Sequence, residues 1–303
     1  MSFFYGLNVL VTGGYGLMGT PLVKMLEDQG ANVSIYDKRD GHDINSLSHV
    51  SVAAAQKDII FHLAAVSGVE ASRQMGYNAW YVNTFGTINV LEAARRNNSV
   101  RAVVVASSNH VYGPQDVFPV PEEAPMRQLD TYSATKIAAD YMARSYHHNY
   151  NVPTVVMRNT NCYGPDDPHL DHIIPSTIMS VLDGERPVIH STGLTSKSYL
   201  YVDDVAQAYL DAAQWSIEYG VFGEAYNVST QPITSLDMVR LILNVMEKGD
   251  VNPRIEKHPT DQSNEYMDDS KLRNRTGWYP KVSLQDGLAR TVEAFTRRYA
   301  VKA

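Results

Sequence analysis

Two hydrophobic patterns alternate along the first half of the chain. Short apolar stretches bounded by turn residues predict buried β-strands, and between them apolar residues recur every three or four positions, as on one face of a helix. The predicted strands cover residues 7–12, 32–37, 58–65, 101–108 and 152–158, and the clearest helices cover residues 20–29, 84–97 and 132–148. Apolar strands that alternate with amphipathic helices predict a parallel, doubly wound α/β sheet.

The pattern loosens after about residue 161. Loops rich in Pro, Asp and His follow, and helices are predicted near residues 175–183, 236–248 and 284–299. We therefore expect a first domain over residues 1–165, to which roughly residues 199–215 return. A smaller, discontinuous C-terminal domain, formed mainly by residues 166–303, is expected to cover the open side of the sheet.

A glycine-rich turn joins the first predicted strand to the first helix. Gly13, Gly16 and Gly19 form the pattern Gly-x-x-Gly-x-x-Gly, which lets backbone N–H groups and a helix N-terminus approach a pyrophosphate. Asp37 ends the second predicted strand, where a carboxylate can accept from both ribose hydroxyls of NAD and would repel the 2′-phosphate of NADP. The sequence thus predicts a Rossmann-type site for NAD. Its expected cofactor-binding residues are Gly13, Gly16, Leu17, Met18, Asp37, Asp43 and Ile44. For Asp43, adenine contact and a plain loop position are both open.

Tyr132 and Lys136 stand four residues apart in a predicted helix and so share one of its faces. A Lys ammonium beside a phenol favours the phenolate, and a neighbouring opposite charge typically lowers an acid's pKa by about 1 to 3 units. Such a shift would make Tyr132 a general base near neutral pH. A lone Tyr-x-x-x-Lys also occurs by chance as a solvated pair. Other motifs therefore have to show whether this pair is catalytic.

Composition narrows the class of protein. The chain has 303 residues, of which 44% are hydrophobic and 19% charged, and its formal net charge is −7. No run of Lys and Arg forms a basic arm, so nucleic-acid binding is not expected. The single cysteine, Cys162, excludes an intrachain disulfide and fits a reducing cytoplasm. Neither a leader pattern nor an apolar stretch of membrane-spanning length is found, so we expect a cytoplasmic protein without membrane contact.

Together with other segments, these motifs resemble the extended short-chain dehydrogenase/reductase family, in particular its NAD-dependent nucleotide-sugar epimerase/dehydratase branch. The resemblance covers nearly the whole chain. The segments that carry it are Thr12-Gly-Gly-Tyr-Gly-Leu-Met-Gly19, His62-Leu-Ala-Ala65, Asn83-Thr-Phe-Gly-Thr87, Ser107-Ser-Asn-His-Val-Tyr-Gly113, Tyr132-Ser-Ala-Thr-Lys136, Arg158-Asn-Thr-Asn-Cys-Tyr-Gly-Pro165, Tyr201-Val-Asp-Asp204 and Thr276-Gly-Trp-Tyr-Pro280. The resemblance implies an NAD-binding Rossmann domain, a smaller substrate-binding domain, and a homodimer packed through residues 84–97 and 132–148.

The resemblance also implies roles for individual residues. Ser108 would hydrogen-bond the reacting hydroxyl, and Tyr132 would take or return its proton. Lys136 would hold the nicotinamide ribose and lower the pKa of Tyr132. Asn161 would touch the phosphates of a sugar nucleotide. Further residues expected beside the cofactor are Leu63, Ala64, Ala65 and Asn83.

One departure from the family pattern concerns the reaction. In sugar-nucleotide 4,6-dehydratases the two residues after the catalytic Ser or Thr usually include a carboxylate for the elimination, whereas here they are Asn109 and His110. His110 could exchange a proton near neutral pH, which leaves elimination open, although a buried, hydrogen-bonded role for it is favoured. The Ser-Ser-Asn-His string also resembles uronate dehydrogenases, which are shorter and lack a large C-terminal part.

A second departure concerns phosphate binding. The family commonly has Arg-Asp where this chain has Lys197-Ser198, and an Arg near the place of His258. Guanidinium groups bind phosphate bidentately, whereas Lys acts as a point charge. Either other cations such as Arg186, Arg254 or Lys257 hold the diphosphate, or the substrate is not a standard nucleoside-diphosphate sugar. The residues expected at the substrate are Ser108, Asn109, His110, Asn161 and Lys197.

A loop rich in Asp and His is a candidate metal site. It contains Asp166, Asp167, His169, Asp171 and His172. The spacing matches no zinc or calcium motif, and the expected chemistry needs no metal. We therefore expect no metal, and interpret this segment as a solvated loop at the substrate cleft.

The sequence favours an NAD-dependent nucleotide-sugar 4-epimerase, which would oxidise C4 reversibly and re-reduce the 4-keto intermediate on its other face. A 4,6-dehydratase and a net sugar or uronate dehydrogenase are alternatives. A regulator that binds NAD without catalysis is disfavoured, because Ser108, Tyr132 and Lys136 are all present. The expected partners are a nucleotide sugar and a second copy of the chain.

Overall fold

The computed structural model describes residues 1–256 and 264–302. Its strands are β1 (Asn8–Thr12), β2 (Asn32–Tyr36), β3 (Ile59–His62), β4 (Ala102–Ser108), β5 (Thr154–Asn159), β6 (Asn161–Tyr163), β7 (Val188–Ile189), β8 (Ser196–Tyr201), β9 (Glu224–Val228), β10 (Pro232–Thr234) and β11 (Arg254–Ile255). Its helices are α1 (Gly19–Asp28), α2 (Leu47–Ala54), α3 (Val69–Met75), α4 (Tyr77–Trp80), α5 (Gly86–Arg95), α6 (Thr131–Tyr150), α7 (Ile173–Leu182), α8 (Val202–Tyr219), α9 (Ser235–Val245), α10 (Ser270–Thr276) and α11 (Leu284–Lys302).

Six parallel strands form the central sheet, in the order β2-β1-β3-β4-β5-β9. This is the doubly wound, Rossmann-type α/β arrangement expected from the sequence. The sheet order places β1 and β3 side by side near its middle, so the turns that follow these strands meet at one edge. Ligands of such sheets bind at the carboxyl ends of the strands.

Helices cover both faces of the sheet, which explains why β4 is apolar along nearly its whole length. Val104 packs on the face covered by α1 and α8. Val103 and Val105 pack on the opposite face, with residues of α2, α5 and α6. Successive side chains of a strand point to opposite faces, so both sets have to be apolar to be buried.

The remaining elements form a smaller layer. Strand β8 pairs in parallel with β6 and antiparallel with β10, and α7, α9 and α11 pack around an apolar cluster that includes Tyr163, Ile178 and Leu288. None of the helices in residues 1–256 and 264–302 has the length and apolar content needed to span a bilayer.

One aspartate ties this layer to the central sheet. The carboxylate of Asp204, near the start of α8, accepts hydrogen bonds from the backbone N–H groups of Lys281 and Val282, each at 2.9 Å. The indole of Trp278 donates to the Asp204 carbonyl at 3.1 Å. The Tyr201–Asp204 and Thr276–Pro280 motifs therefore meet in space and fix the segment before α11.

Candidate active site

The glycine turn after β1 leaves no room for a side chain at Gly13 or Gly19. Gly13 has a φ of +72°, and a Cβ there would lie 2.8 Å from the backbone nitrogen of Ala64. A Cβ on Gly19 would lie 2.7 Å from the carbonyl carbon of Gly14. Helix α1 begins at Gly19 without a side-chain cap, and the Thr20 N–H donates to the Gly16 carbonyl at 3.0 Å. The positive end of the helix dipole faces this turn, which favours an anion there. The turn has the shape expected of a pyrophosphate site and includes Leu17 and Met18; pyrophosphate binding there stays a prediction.

The carboxylate of Asp37 is anchored beside this turn. It follows β2 and is buried, and its oxygens accept hydrogen bonds from the backbone N–H groups of Tyr15 at 3.2 Å and Arg39 at 3.0 Å. A carboxylate oxygen can accept more than one hydrogen bond, so capacity remains for ribose hydroxyls. This geometry suits the NAD preference predicted from the sequence.

The segment after β3 borders the same turn. The N–H of Ala64, which follows Leu63 and precedes Ala65, donates to the Thr12 hydroxyl at 3.3 Å. Asn83 is hydrogen-bonded within the protein, and its expected contact with the cofactor stays a prediction. Its amide exchanges hydrogen bonds with the backbone of Val66, at 2.7 and 3.0 Å, and donates to the hydroxyl of Thr135 on α6 at 2.9 Å. Both of its N–H donors are therefore used in holding this loop against α6.

Asp43 and Ile44 lie beyond β2, where the adenine was expected. The side chain of Ile44 is buried in the core, and its carbonyl accepts a hydrogen bond from Asn89 at 3.0 Å. The exposed carboxylate of Asp43 accepts hydrogen bonds from the backbone and side chain of Asn45. Adenine contact by either residue stays a prediction.

The structure brings Ser108, Tyr132 and Lys136 together. Ser108 is the last residue of β4, and Tyr132 lies in the first turn of α6, whose start is capped by Asp130. Burial raises the pKa of Tyr132 to about 12, although a hydrogen bond with the Ser108 hydroxyl lowers it in part. The ammonium of Lys136 donates to the Ala106 carbonyl at 2.9 Å, and burial lowers its pKa to about 8.

One sequence expectation for this trio is wrong in the structure as it stands. Lys136 was expected to lower the pKa of Tyr132, but burial dominates and raises it. The reason is geometric, because the Lys136 ammonium is directed at a backbone carbonyl of β4. The neutral phenol is consequently the resting form of Tyr132 at neutral pH.

Side chains around Ser108 connect the end of β4 to a segment far along the chain. The Ser108 hydroxyl lies 3.4 Å from Asn109 Oδ1, and Asn109 Nδ2 lies 3.4 Å from Glu265 Oε2. The ring of His110 lies edge-on to that of Tyr132, with 6.0 Å between centroids. Sequence reasoning missed Glu265, because no local motif marks a residue that reaches the site from so far along the chain.

Lys197, expected at the substrate, is paired with a carboxylate in the structure. Its ammonium lies 3.0 Å from Glu265 Oε1, and the two side chains are only 13% and 21% exposed. The amide of Asn161 likewise donates to the Ser198 carbonyl at 3.1 Å. Phosphate contact by Lys197 or Asn161 stays a prediction and would have to compete with these interactions.

The alternative phosphate-binding cations are only partly described. Arg186 donates to the Asn252 carbonyl at 3.0 Å, and Arg254 pairs with Glu256 at 2.9 Å. Lys257 and His258 lie outside the described residues. The choice among these cations therefore stays open.

Arg158 of the Arg-x-x-Asn-x-Tyr-Gly-Pro segment is structural. Its guanidinium pairs with Asp140 at 2.8 Å, donates to the Tyr112 hydroxyl at 2.8 Å and to the Glu122 carbonyl at 2.7 Å, and is almost fully buried. It joins β5 to α6, the helix that carries Tyr132. A buried cation with four hydrogen bonds inside the protein fixes the relative geometry of β5 and α6.

The fold and the glycine turn are those of a dinucleotide-binding protein, and Ser108, Tyr132 and Lys136 lie together at the carboxyl end of β4. The sequence profile of the NAD dependent epimerase/dehydratase family matches residues 9–229. The chain belongs to this family and is of the extended short-chain dehydrogenase/reductase type. Its cofactor is NAD.

Similar proteins fall on both sides of the epimerase/dehydratase division. A dTDP-D-glucose 4,6-dehydratase of Bos taurus is 26% identical over 327 residues, which cover 97% of this chain and 90% of the relative. The structure resembles a UDP-N-acetylglucosamine 4-epimerase from Methanobrevibacter ruminantium M1 in complex with UDP-N-acetylmuramic acid (TM-score 0.86, 26% identity, 97% of this chain and 99% of that one). It also resembles a dTDP-glucose 4,6-dehydratase from Streptomyces venezuelae with NAD bound (TM-score 0.84, 26% identity, 97% and 98%).

Proposed function

We propose that the protein is an NAD-dependent nucleotide-sugar 4-epimerase. The observation that carries the proposal is the trio of Ser108, Tyr132 and Lys136 at the carboxyl end of β4, followed by Asn109 and His110 in place of a carboxylate. An epimerase needs a group that moves one proton on and off the C4 hydroxyl, and the Tyr132 phenol beside Ser108 can do so. The solved UDP-sugar 4-epimerase structures that the chain resembles support this choice.

The mechanism follows from the placement of these side chains. The glycine turn and Asp37 would hold NAD⁺, which would supply reversible hydride transfer at C4. Tyr132, as phenolate, takes the proton of the C4 hydroxyl while Ser108 donates a hydrogen bond to the same oxygen. After the 4-keto sugar has turned its other face to the cofactor, Tyr132 returns the proton to the C4 oxygen. The phenolate needs positive charge nearby, either from Lys136, once its ammonium leaves the Ala106 carbonyl, or from the cofactor.

Product analysis tests this proposal directly. The NAD-loaded protein is incubated with UDP-, GDP-, CDP- and dTDP-sugars, and the products are separated and weighed. A 4-epimer of unchanged mass, formed without net NADH, is the expected result. Stoichiometric NADH with an oxidised sugar would identify a net dehydrogenase instead, and absence of turnover with all of these sugars and with free uronates would refute the enzymatic proposal.

A 4,6-dehydratase is the second candidate, and one contact favours it. The carboxylate of Glu265 reaches the amide of Asn109, the residue after Ser108. Elimination of water from a 4-keto sugar requires an acid and a base, and Glu265 could supply the carboxylate that positions 109 and 110 lack. Loss of one water from the sugar nucleotide, abolished in Glu265→Gln while C4 oxidation persists, would establish this reaction. Unchanged sugar mass would exclude it.

We further propose a homodimer that packs through α5 and α6. Exposed aromatic side chains follow one face from α4 to the start of α5, and Tyr141 on α6 is also exposed. The residues of the first group are Tyr77, Trp80, Tyr81 and Phe85. Contiguous exposed apolar patches commonly mark protein–protein contacts. A cytoplasmic location also stays a prediction.

A further inference from the structure

The loop between β6 and α7 folds three potential metal ligands into one cluster. Asp167, His169 and His172 each offer an atom within 4.8 Å of the others. Asp167 Oδ1 lies 3.0 Å from His169 Nδ1, and Asp167 Oδ2 lies 3.6 Å from His172 Nδ1. The two imidazole rings are stacked, with 4.6 Å between centroids. Sequence spacing alone argued against a metal, but it does not describe how this loop turns back on itself.

The separation between Asp167 and His172 suits two ligands of one ion. Two ligand atoms, each about 2.0–2.1 Å from a tetrahedral Zn²⁺, lie about 3.3 Å apart. The separation of Asp167 Oδ2 and His172 Nδ1 is close to that value and too long for a hydrogen bond. Two imidazoles and one carboxylate are also a common ligand set for zinc sites that keep a further position open for water.

An unpartnered oxygen provides an independent observation. Asp167 is 3% exposed, and its Oδ2 atom is buried without a hydrogen-bond partner in the described part of the chain. Burying a carboxylate oxygen without a donor is costly. An ion between Oδ2 and the two imidazoles would supply the missing partner.

The surroundings also match those of a metal site. His169 Nε2 lies 2.9 Å from the Ser67 hydroxyl, so that Nδ1 can ligate while the other ring nitrogen donates its proton. The backbone N–H of His169 donates to Asp167 Oδ1 at 3.0 Å and orients the carboxylate. Asp166 is not part of the cluster, because its carboxylate pairs with Arg298 at 3.1 Å.

We propose that Asp167, His169 and His172 bind a divalent transition-metal ion, with Zn²⁺ as the best match. Because His169 contacts Ser67 in the loop after β3 and His172 immediately precedes α7, the ion would join the cofactor-bordering loop to the start of α7. This role is structural and independent of which sugar the enzyme converts.

Metal titration of the full chain tests the proposal. After chelation with EDTA and its removal, Zn²⁺ is titrated calorimetrically, and Co²⁺ is followed by its visible absorption. One equivalent is expected to bind saturably, and Zn²⁺ is expected to raise the melting temperature. His172→Ala, at a half-exposed side chain, should weaken binding by more than tenfold. Ser67→Ala should weaken it by about 10- to 100-fold through the lost hydrogen bond to His169.

A second histidine–carboxylate pair provides the matched control. His190 Nδ1 lies 3.5 Å from Glu256 at the surface, and His190→Ala should leave the one-equivalent binding and the Zn²⁺-dependent melting shift unchanged. The absence of saturable binding to the wild-type protein would refute the site. Equal affinity of the wild-type protein and the folded His172→Ala variant, verified by circular dichroism, would refute it as well.

Discussion

At the scale of single residues, Tyr132 combines a hydrogen bond that favours its ionisation with burial that opposes it. Its pKa is raised to about 12, so general-base catalysis has to draw on positive charge near the phenol, from Lys136 or the cofactor. Tyr132→Phe removes the ionisable group without changing the ring. Its turnover should fall by at least about 10² to 10⁴-fold while NAD content stays unchanged.

The matched control for this substitution lies on α8, away from the proposed interface. Tyr219 is 68% exposed, and Tyr219→Phe should retain wild-type turnover in the same product assay. Bound NAD is measured by its release on denaturation. Residual turnover of Tyr132→Phe within tenfold of wild type would contradict the base role.

His62 couples stability to pH. Its imidazole bridges the hydroxyls of Thr12 and Thr87 at 2.8 and 3.0 Å, and burial lowers its pKa to about 3. Because the unfolded chain takes up the proton near pH 6.5 and the folded protein does not, the stabilisation is complete above pH 6.5 and is lost as the pH falls towards 3. The loss between pH 7 and pH 5 should be about 2 kcal/mol.

Urea denaturation at pH 7 and pH 5 measures this loss. His62→Gln removes the titrating group. Between pH 7 and pH 5 the free energy of unfolding of this variant should therefore fall by about 2 kcal/mol less than that of the wild-type protein. The comparison between variant and wild type isolates His62 from other titrating groups, such as the pair of Asp167 and His169. An identical pH dependence in both proteins would show that His62 is not held neutral.

At the scale of elements, Asp204 connects α8 to the segment before α11. Asp204→Ala leaves two backbone N–H groups, those of Lys281 and Val282, without their acceptor. Because hydrogen bonds to a charged group contribute about 1.5–3 kcal/mol, the free energy of unfolding should fall by about 3 kcal/mol or more.

The neighbouring residue provides the control for Asp204. Asp203 is 39% exposed on its side chain and lies 3.8 Å from Arg290, and exposed ion pairs contribute about 0–1 kcal/mol. Asp203→Ala should therefore change the stability by less than about 1 kcal/mol. Chemical denaturation of both variants tests the difference, and equal losses would show that the two backbone contacts carry little energy.

The sequence predicted the five strands of the first half because the inner ones are covered by helices on both faces and had to be apolar on both, while the edge strand β2 keeps a shorter apolar pattern. It did not predict β9, whose residues Glu224 and Asn227 interrupt the apolar pattern. Asn227 is fully buried because its amide donates to the carbonyls of Val120 and Asp268. Such a residue looks like a loop position until its distant partners are known.

The residues of the candidate site also differ in whether a local motif marks them. The glycine turn, Asp37 and the trio of Ser108, Tyr132 and Lys136 were predictable because local motifs carry them. The pairing of Lys197 with Glu265 and the Asp167 cluster were not, since they depend on how distant or irregular segments fold back. Local spacing predicts which side chains lie together on one turn or helix. Only the fold determines which charged side chains are paired with a residue from a distant segment.

At the scale of the whole molecule, the exposed aromatic face on α4 to α6 predicts how two copies associate. Tyr77 stacks on Tyr81, and Tyr81 lies 5.8 Å from Phe85, between ring centroids. The side chain of Phe85 is 54% exposed. Placing a carboxylate in the centre of an apolar interface leaves a buried, unpaired charge. Phe85→Glu should therefore shift the protein from dimer to monomer in light scattering coupled to size-exclusion chromatography.

The control for this prediction lies on the opposite face of the sheet. Tyr219, near the end of α8, is 68% exposed, and Tyr219→Glu adds the same charge without touching α5 or α6. It should remain a dimer at the concentration at which Phe85→Glu is monomeric. Because α6 carries both Tyr132 and part of the proposed interface, the monomer should also lose turnover if the partner helix restrains α6. A wild-type protein that is monomeric at micromolar concentration would refute this assembly. Full activity of a monomeric Phe85→Glu variant would show that catalysis does not require the dimer.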